Sequence, residues 1–420
     1  MSWFAAARRA WREEPITLAF FSVACVIGVG LRLSLPGLIE YKGDEHWTFA
    51  STLQILRSGQ WPATGMDSSV GVANPGLSLW FFAILAKVTG AQTPVELARA
   101  VAGMNGIALI AIMLFAWGRP AEERRLWLWT GALAGVDPLG IILQRKIWAQ
   151  SVLPLFMWLV FLGWRSRSRA VGALFWGLLG ALVGQIHMTG FLYVPLFVLW
   201  AIFAHLRRMN RVRTNWIAWF AGSILGAIPL IPWLGYVRSG GAHWSASSNG
   251  PHGLFWRVWI EDALGWNLDY SLGQAHLEAL KALPMFNGRA TRLVEMSLEL
   301  SLAVGALALG LLLGELLRRP EKVWQRLVNE DVVAFLVAFV GYGFVMTSLN
   351  VTLYRHYFLI AYPFEAMTVP LLGWLGGKRL GWVGLLWAAH LLIAVCMLQY
   401  LLLHHGAPGG DFGRAFQFQR

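Results

Sequence analysis

Apolar residues run in long stretches along this chain, and polar residues gather in the short turns between them. Runs of about 18 or more apolar residues suit helices crossing a hydrocarbon core of about 30 Å, where each backbone polar group must be satisfied within its own segment. The pattern predicts spans over 16–35, 98–117, 126–143, 150–164, 171–187, 190–205, 216–236, 294–317, 331–348, 358–375 and 381–403. The alternating ten-residue segments of a membrane β-barrel are absent. The expected fold class is an all-α polytopic membrane protein: one domain over 1–420, with about eleven transmembrane helices. Met1 to Arg12 is basic and leads into a run, Ile16 to Leu33, long enough to span, so the first helix is expected to be uncleaved.

Threading these spans alternately from a cytoplasmic N-terminus tests the pattern, because cytoplasmic turns should collect Lys and Arg. The turns placed inside hold Arg8, Arg9 and Arg12; Arg119, Arg124 and Arg125; Arg165, Arg167 and Arg169; Arg207, Arg208, Arg211 and Arg213; Arg318, Arg319, Lys322 and Arg326; and Lys378 and Arg379, more than half of the 34 basic residues. The threading leaves two long outward loops, 36–97 and 237–291. Within the first, the aromatic run 74–87 is short for a span and is expected to lie in the interface as an amphipathic helix. The second contains His243, Trp244, His252, Trp256, Asp262, Asp269 and His276, with no metal-ligand spacing among its histidines.

Composition changes the picture in two places. The chain is 57% hydrophobic and 13% charged, far below the roughly 25% charge of soluble domains. Its net charge of +12 would otherwise suggest nucleic acid, but the basic residues sit in turns where they orient a membrane protein, so no nucleic-acid partner is expected. Cys25 and Cys396 both lie inside apolar runs and imply neither a disulfide framework nor a metal site.

Against this sparse charge, the stretch 35–47 stands out. It follows the first span and carries Lys42, Asp44, Glu45 and His46. Read as the end of that span, the two acids would oppose the helix dipole, which argues for another purpose. Two adjacent carboxylates would also raise each other's pKa, suiting a base that works near neutral pH. Three more outward features gather candidate chemistry: Arg145 and Lys146 between the third and fourth spans, His187 ending the fifth, and Arg355, His356 and Tyr357 opening the tenth. Asp67 reads first as a turn residue that could orient an acceptor.

Several of these pieces occur in the order found in a known family. Arg32 and Pro36, the outward Asp44-Glu45 followed by an aromatic, Arg57-Ser58-Gly59, Asn74-Pro75-Gly76 before a helix ending at Gly90, and Ala98-Arg99 open the chain; Pro138 with Arg145, Pro229 and Pro232, and Arg355-His356-Tyr357 with Pro363 follow. In this order the chain resembles the C-type (GT-C) glycosyltransferases, in particular the group of protein O-mannosyltransferases and lipid A aminoarabinose transferases. The resemblance implies inverting transfer of a sugar from a polyprenyl-phosphate carrier to an acceptor hydroxyl of a protein, lipid or glycan, on the extracytoplasmic side of the plasma (inner) membrane. It implies Asp44 as general base with Glu45 beside it. The departing phosphate would then be received by Arg355, the strongest choice, with His356, Arg145 and Lys146. Lys42, His46, Asp67, Tyr357 and His187 are the expected substrate contacts. The family's second acidic loop is missing, since 145–150 carries no carboxylate. No obligatory cofactor is therefore expected, and a divalent cation is disfavoured because Asp44 alone offers few of the six or so oxygen ligands it wants. Two other classes stay open: a transporter or flippase for a lipid-linked saccharide, and a catalytically silent assembly subunit of the same fold.

Overall fold

The computed structural model describes residues 3–68, 71–207, 212–241, 253–349 and 353–419. Arg208 and Arg211 of the basic turn, and His243, Trp244 and His252 of the long loop, lie outside these residues. In chain order the α-helices are α1 (Trp3–Glu13), α2 (Pro15–Leu33), α3 (Gly43–Ser58), α4 (Leu77–Thr89), α5 (Pro94–Trp117), α6 (Ala121–Val136), α7 (Pro138–Leu143), α8 (Leu153–Arg165), α9 (Ala170–Ile186), α10 (Gly190–Leu206), α11 (Trp216–Ala227), α12 (Ile231–Tyr236), α13 (Leu254–Ala263), α14 (Asp269–Leu272), α15 (Gln274–Lys281), α16 (Leu293–Arg318), α17 (Pro320–Leu327), α18 (Glu330–Leu336), α19 (Tyr342–Ser348), α20 (Phe364–Leu375) and α21 (Val383–Leu403). Among the described residues strand pairing is confined to three two-stranded ribbons, and the chain is an all-α polytopic membrane protein.

Every predicted span has a helical counterpart, but they are not equally able to cross a membrane. Among the described residues six helices are long and apolar enough to do so, and a seventh crossing forms if Arg355–Ala361 and α20, bent by 65° to each other, count as one. The predicted span 126–143 is broken. Pro138 has no N–H to continue α6, and Asp137 turns back to accept a hydrogen bond from the Gly140 amide at 3.0 Å, capping α7. The helices α9 and α10, each of 17 residues, reach only about 25 Å.

The loop 36–97 is more structured than its sequence pattern predicts. It contains α3 as well as α4, and Asp44 and Glu45 occupy the first turn of α3. The expectation that these acids oppose a helix dipole is corrected: they sit at a helix N-terminus, where negative charge is favoured.

Small residues set a close helix crossing near the start of the bundle. Gly28 of α2 and Gly135 of α6 meet so tightly that a Cβ on Gly28 would lie 2.8 Å from the Gly135 Cα. Arg32, one turn further along α2, fastens the crossing by donating to the carbonyls of Gly28, Ala134 and Gly135 and to Gln144 Oε1.

Charged groups sort to two ends of the bundle. At one end Asp331, buried, meets Arg119 and Arg165 at 3.3 and 3.0 Å and accepts from the Trp127 indole at 2.9 Å, while Glu330 pairs with Arg165 and Arg167. These arginines come from turns threaded to the inside. At the other end the pairs involve Glu40, Lys42, Glu45, Lys146, Arg355 and Asp411. Among the described residues no ion pair joins the two sets.

Gly30 lies on the same helix as Gly28 but would meet nothing within 4 Å. We expect Gly28→Val to lower thermal stability in detergent by about 1–3 kcal/mol through overpacking, and Gly30→Val to leave the melting temperature nearly unchanged. Equal losses from the two would refute the crossing as a packing constraint.

Candidate functional site

The second set of charges, Arg355 apart, surrounds a cavity of about 420 Å³. Its walls come from the segment 40–48, the ribbon at Thr64–Asp67 and Asn74, the start of α4, the turn 146–150, His187, Tyr270, the segment 354–357 and Asp411. Seven separate parts of the sequence therefore converge on one space.

Lys146 holds two of these parts together, the segment 40–48 and its own turn. Its ammonium, buried, lies 2.9 Å from Glu40 Oε1 and 3.1 Å from Glu45 Oε1, and it sits 3.7 Å from the centroid of the Trp148 ring. A desolvated ammonium costs several kcal/mol unless paired, so this cluster exists only as a unit. Burial works against the Lys146 charge, but Glu40 and Glu45 outweigh it and hold its pKa above the ordinary 10.5. Burial pushes the Glu40 carboxyl up, with Lys146 pulling against it and the Glu45 charge adding to it. Lys42, nearer the rim, also reaches Glu40 at 2.9 Å and pairs with Asp411 at 3.0 Å.

Asp44 and Glu45 diverge because successive helical residues point about 100° apart. Glu45 is buried; its Oε2 accepts from the Lys42 amide at 3.0 Å, satisfying an orphan donor of the α3 N-terminus. Both Glu45 oxygens are thereby engaged in fixing the loop, one on the Lys42 amide and one on Lys146. Asp44 is exposed and accepts one hydrogen bond, from Trp148 Nε1 at 3.2 Å. Trp148 thus touches Lys146 with its ring face and Asp44 with its N–H.

Aromatic and imidazole rings close the far wall. The His356 ring lies 4.4 Å from that of Trp148, is stacked on Tyr354 at 5.3 Å, and through Nδ1 shares a 2.9 Å hydrogen bond with the Tyr270 hydroxyl. Tyr357 stands between His356 and His187, at ring distances of 4.6 and 5.6 Å. His187 is held by Gln150 on one ring nitrogen and Thr189 on the other. Asp67 also lines the cavity.

Three sequence expectations are placed elsewhere. Arg355 is absent from the cavity wall; its guanidinium pairs with Asp262 at 2.9 Å and with Glu261, and stands 3.5 Å from Asp269. Burial pushes Asp262 up to about 7 in spite of that arginine. Tyr354, His356 and Tyr357 line the cavity, whereas Arg355 between them faces a smaller chamber with Asp137, Glu365 and His390. Arg145 is buried and donates to the carbonyls of Ser34 and Leu35, both at 2.6 Å, capping the end of the first span rather than meeting a ligand. His46 packs edge-on to Tyr41 outside the cavity.

Two contributors were not singled out from the sequence. Glu40 carried a signal, since residues i and i+2 of an extended segment share a face and Lys42 follows at that spacing. The other is the C-terminal segment after α21. Its ribbon Gly406–Ala407 with Gly413–Arg414 buries Phe412 and Ala415. Phe412, Phe416 and Gln417 donate backbone hydrogen bonds to Ser271, Ile39 and Gly37, which brings Asp411 to the cavity. Apolar residues at 407, 412, 415, 416 and 418 were the available signal. Among the described residues no three His, Cys, Asp or Glu side chains converge to hold a metal ion.

No family profile matches the chain, and no curated protein sequence matches it. Among solved structures it is similar to the crystal structure of ArnT from Cupriavidus metallidurans in the apo state, with a TM-score of 0.44 and 14% identity over 89% of this chain and 77% of that one. The same protein bound to undecaprenyl phosphate gives a TM-score of 0.41 and 15% identity, over 86% and 77%. Neither likeness assigns a residue or an activity to this chain.

Removing the ammonium would strand two buried carboxylates, so Lys146→Met should destabilise the folded chain by about 3–5 kcal/mol near neutral pH. Because the folded state raises the Lys146 pKa, its stabilisation is complete below 10.5 and is lost as pH rises through the raised value. Thermal unfolding followed to alkaline pH should therefore show the gap between parent and variant narrowing. A constant gap would contradict the cluster.

Proposed function

We propose that the chain is an inverting glycosyltransferase of the C type, moving a sugar from a polyprenyl-phosphate carrier to an acceptor hydroxyl. The observation that carries this reading is the cavity itself, where an accessible carboxylate on Asp44 and the ammonium groups of Lys42 and Lys146 share one aromatic-walled space. The ordered sequence resemblance supports the same chemistry. The cavity faces the extracytoplasmic side, a placement supported by the arginine-rich turns at the opposite end of the bundle.

In this mechanism Asp44 accepts the proton of the acceptor hydroxyl. The acceptor oxygen bonds to the anomeric carbon from the face opposite the carrier, and the bond from that carbon to the phosphate oxygen breaks. Its electron pair leaves with the polyprenyl phosphate. Lys42 and Lys146 receive the growing negative charge, for which an ammonium with three donors is suited. Both already stand at Glu40, so the incoming phosphate meets cations that are held in place beforehand. Trp148, Tyr354 and Tyr357 offer ring faces to the sugar. Arg355 acts indirectly, by anchoring the segment that carries His356.

A second reading has one observation in its favour: the pairing of Arg355 and Lys146 with carboxylates suits a subunit that binds a lipid-linked sugar without turning it over. A radiolabelled polyprenyl-phosphate sugar separates the readings. Turnover by the purified chain supports the transferase, and binding without product in the presence of protein, lipid and glycan acceptors supports the silent subunit or a flippase.

Asp44→Asn should reduce transfer by about 10²- to 10⁴-fold while leaving the melting temperature within a degree or two, since Asp44 is exposed and makes one hydrogen bond. Transfer at the parent rate in that variant would remove Asp44 as the base.

A further inference from the structure

A separate hollow, of about 250 Å³, opens at the opposite end of the bundle from the candidate site and is lined by Arg125, Arg326, Lys378 and Arg379, with Glu122, Trp374 and Gly377. We propose that it binds a phosphate-bearing group, an anion that the chemistry at the other end neither requires nor explains.

The basic wall is built rather than merely exposed. The backbone closes α20 with the Gly377 amide on the Trp374 carbonyl at 3.1 Å and the Lys378 amide on the Gly373 carbonyl at 3.3 Å, the pairing of a Schellman turn. Gly377 takes the left-handed φ of +71° this turn requires, and a Cβ there would stand 3.3 Å from an Arg326 nitrogen and from Glu315 Oε1. The missing side chain leaves the floor of the hollow open. Arg326 is fixed by the Leu375 carbonyl at 3.0 Å and by the Trp374 ring, 5.5 Å away. It is thereby pre-oriented, with its other N–H groups available for a planar, bidentate contact with phosphate. Arg125 is tethered 3.4 Å from Glu14.

Lys378 and Arg379 differ from their neighbours. Nearby Arg119, Arg165 and Arg167 are all neutralised by Glu330, Asp331 or Glu123, whereas no ion pair engages Lys378 or Arg379 among the described residues. Four cations therefore face a hollow whose lining offers one carboxylate, Glu122. Beside it α17 exposes Trp324, and Val328 follows, also exposed; such an apolar face beside basic groups suits the membrane–water boundary. Basic pockets between helix ends at that depth recognise phosphate headgroups, and a free phosphate ion offers the same oxygens.

The test uses the full chain in neutral detergent, with phosphatidylglycerol in mixed micelles as probe and phosphatidylcholine as the zwitterionic comparison. The pocket variant is Lys378→Gln with Arg379→Gln; the control is Arg318→Gln with Arg319→Gln, which removes equal charge outside the hollow. The parent should hold phosphatidylglycerol in preference to phosphatidylcholine, and the pocket variant should weaken that binding about tenfold or more while the control keeps it. If inorganic phosphate displaces the lipid, the pocket takes a soluble phosphate; if it does not, the headgroup of a membrane lipid is the ligand. Equal losses in the two variants, or no preference for the anionic lipid in the parent, would overturn the proposal.

Discussion

One ammonium group organises the polar end of this bundle. Lys146 has left water, and its charge is tolerable only because Glu40 and Glu45 meet it directly. Those three residues lie on the stretch after the first span, on the first turn of α3 and on the turn after α7. Their mutual need fixes the relative position of all three. Trp148 follows as a consequence, with its ring under the ammonium and its N–H on Asp44. The exposed carboxylate is therefore aimed by a buried ammonium two steps away.

The same constraint, applied at the scale of the whole chain, explains why charge is sorted to two ends. Apolar spans cannot accommodate unpaired ions, so arginine and its carboxylate partners collect where helices end. At the end opposite the cavity, Asp331 and Glu330 bind arginines contributed by separate turns, tying the start of α18 to the turn after α5 and to the one after α8. At the cavity end the pairing is denser and includes the C-terminal segment, which is stitched to residues 37–41 and to Ser271. The cavity wall is closed by the last residues of the chain meeting residues near its beginning.

Much of the helix plan was legible because apolar run length is a local property. The break at Asp137 was less so: a proline one residue later announces it, but the run of apolar residues on both sides hides it. The polar contacts were legible only as a collection. The sequence brought forward Asp44, Glu45, Lys146, His187 and His356, and the fold does gather them around one space. It could not distinguish them by role, because a cation's partner is decided by residues far away in the chain. Arg355 was the preferred phosphate ligand on its outward position and its chemistry, yet Asp262 and Glu261, some 90 residues earlier, engage it. Arg145 was equally attractive and is consumed by two carbonyls at the end of the first span. The helix α3 was missed because its polar, weakly periodic sequence gives no amphipathic signal, and its start depends on Glu45 reaching back to the Lys42 amide.

The claim that this cavity receives a lipid-linked phosphate is tested most directly by imaging the chain with polyprenyl phosphate bound, by cryo-electron microscopy in lipid nanodiscs. Phosphate density is expected within hydrogen-bonding distance of Lys146 or Lys42, beside the Trp148 ring, with the prenyl chain leaving between helices. Density for the phosphate elsewhere, with that cavity holding only solvent and the ammonium still enclosed by Glu40 and Glu45, would contradict it.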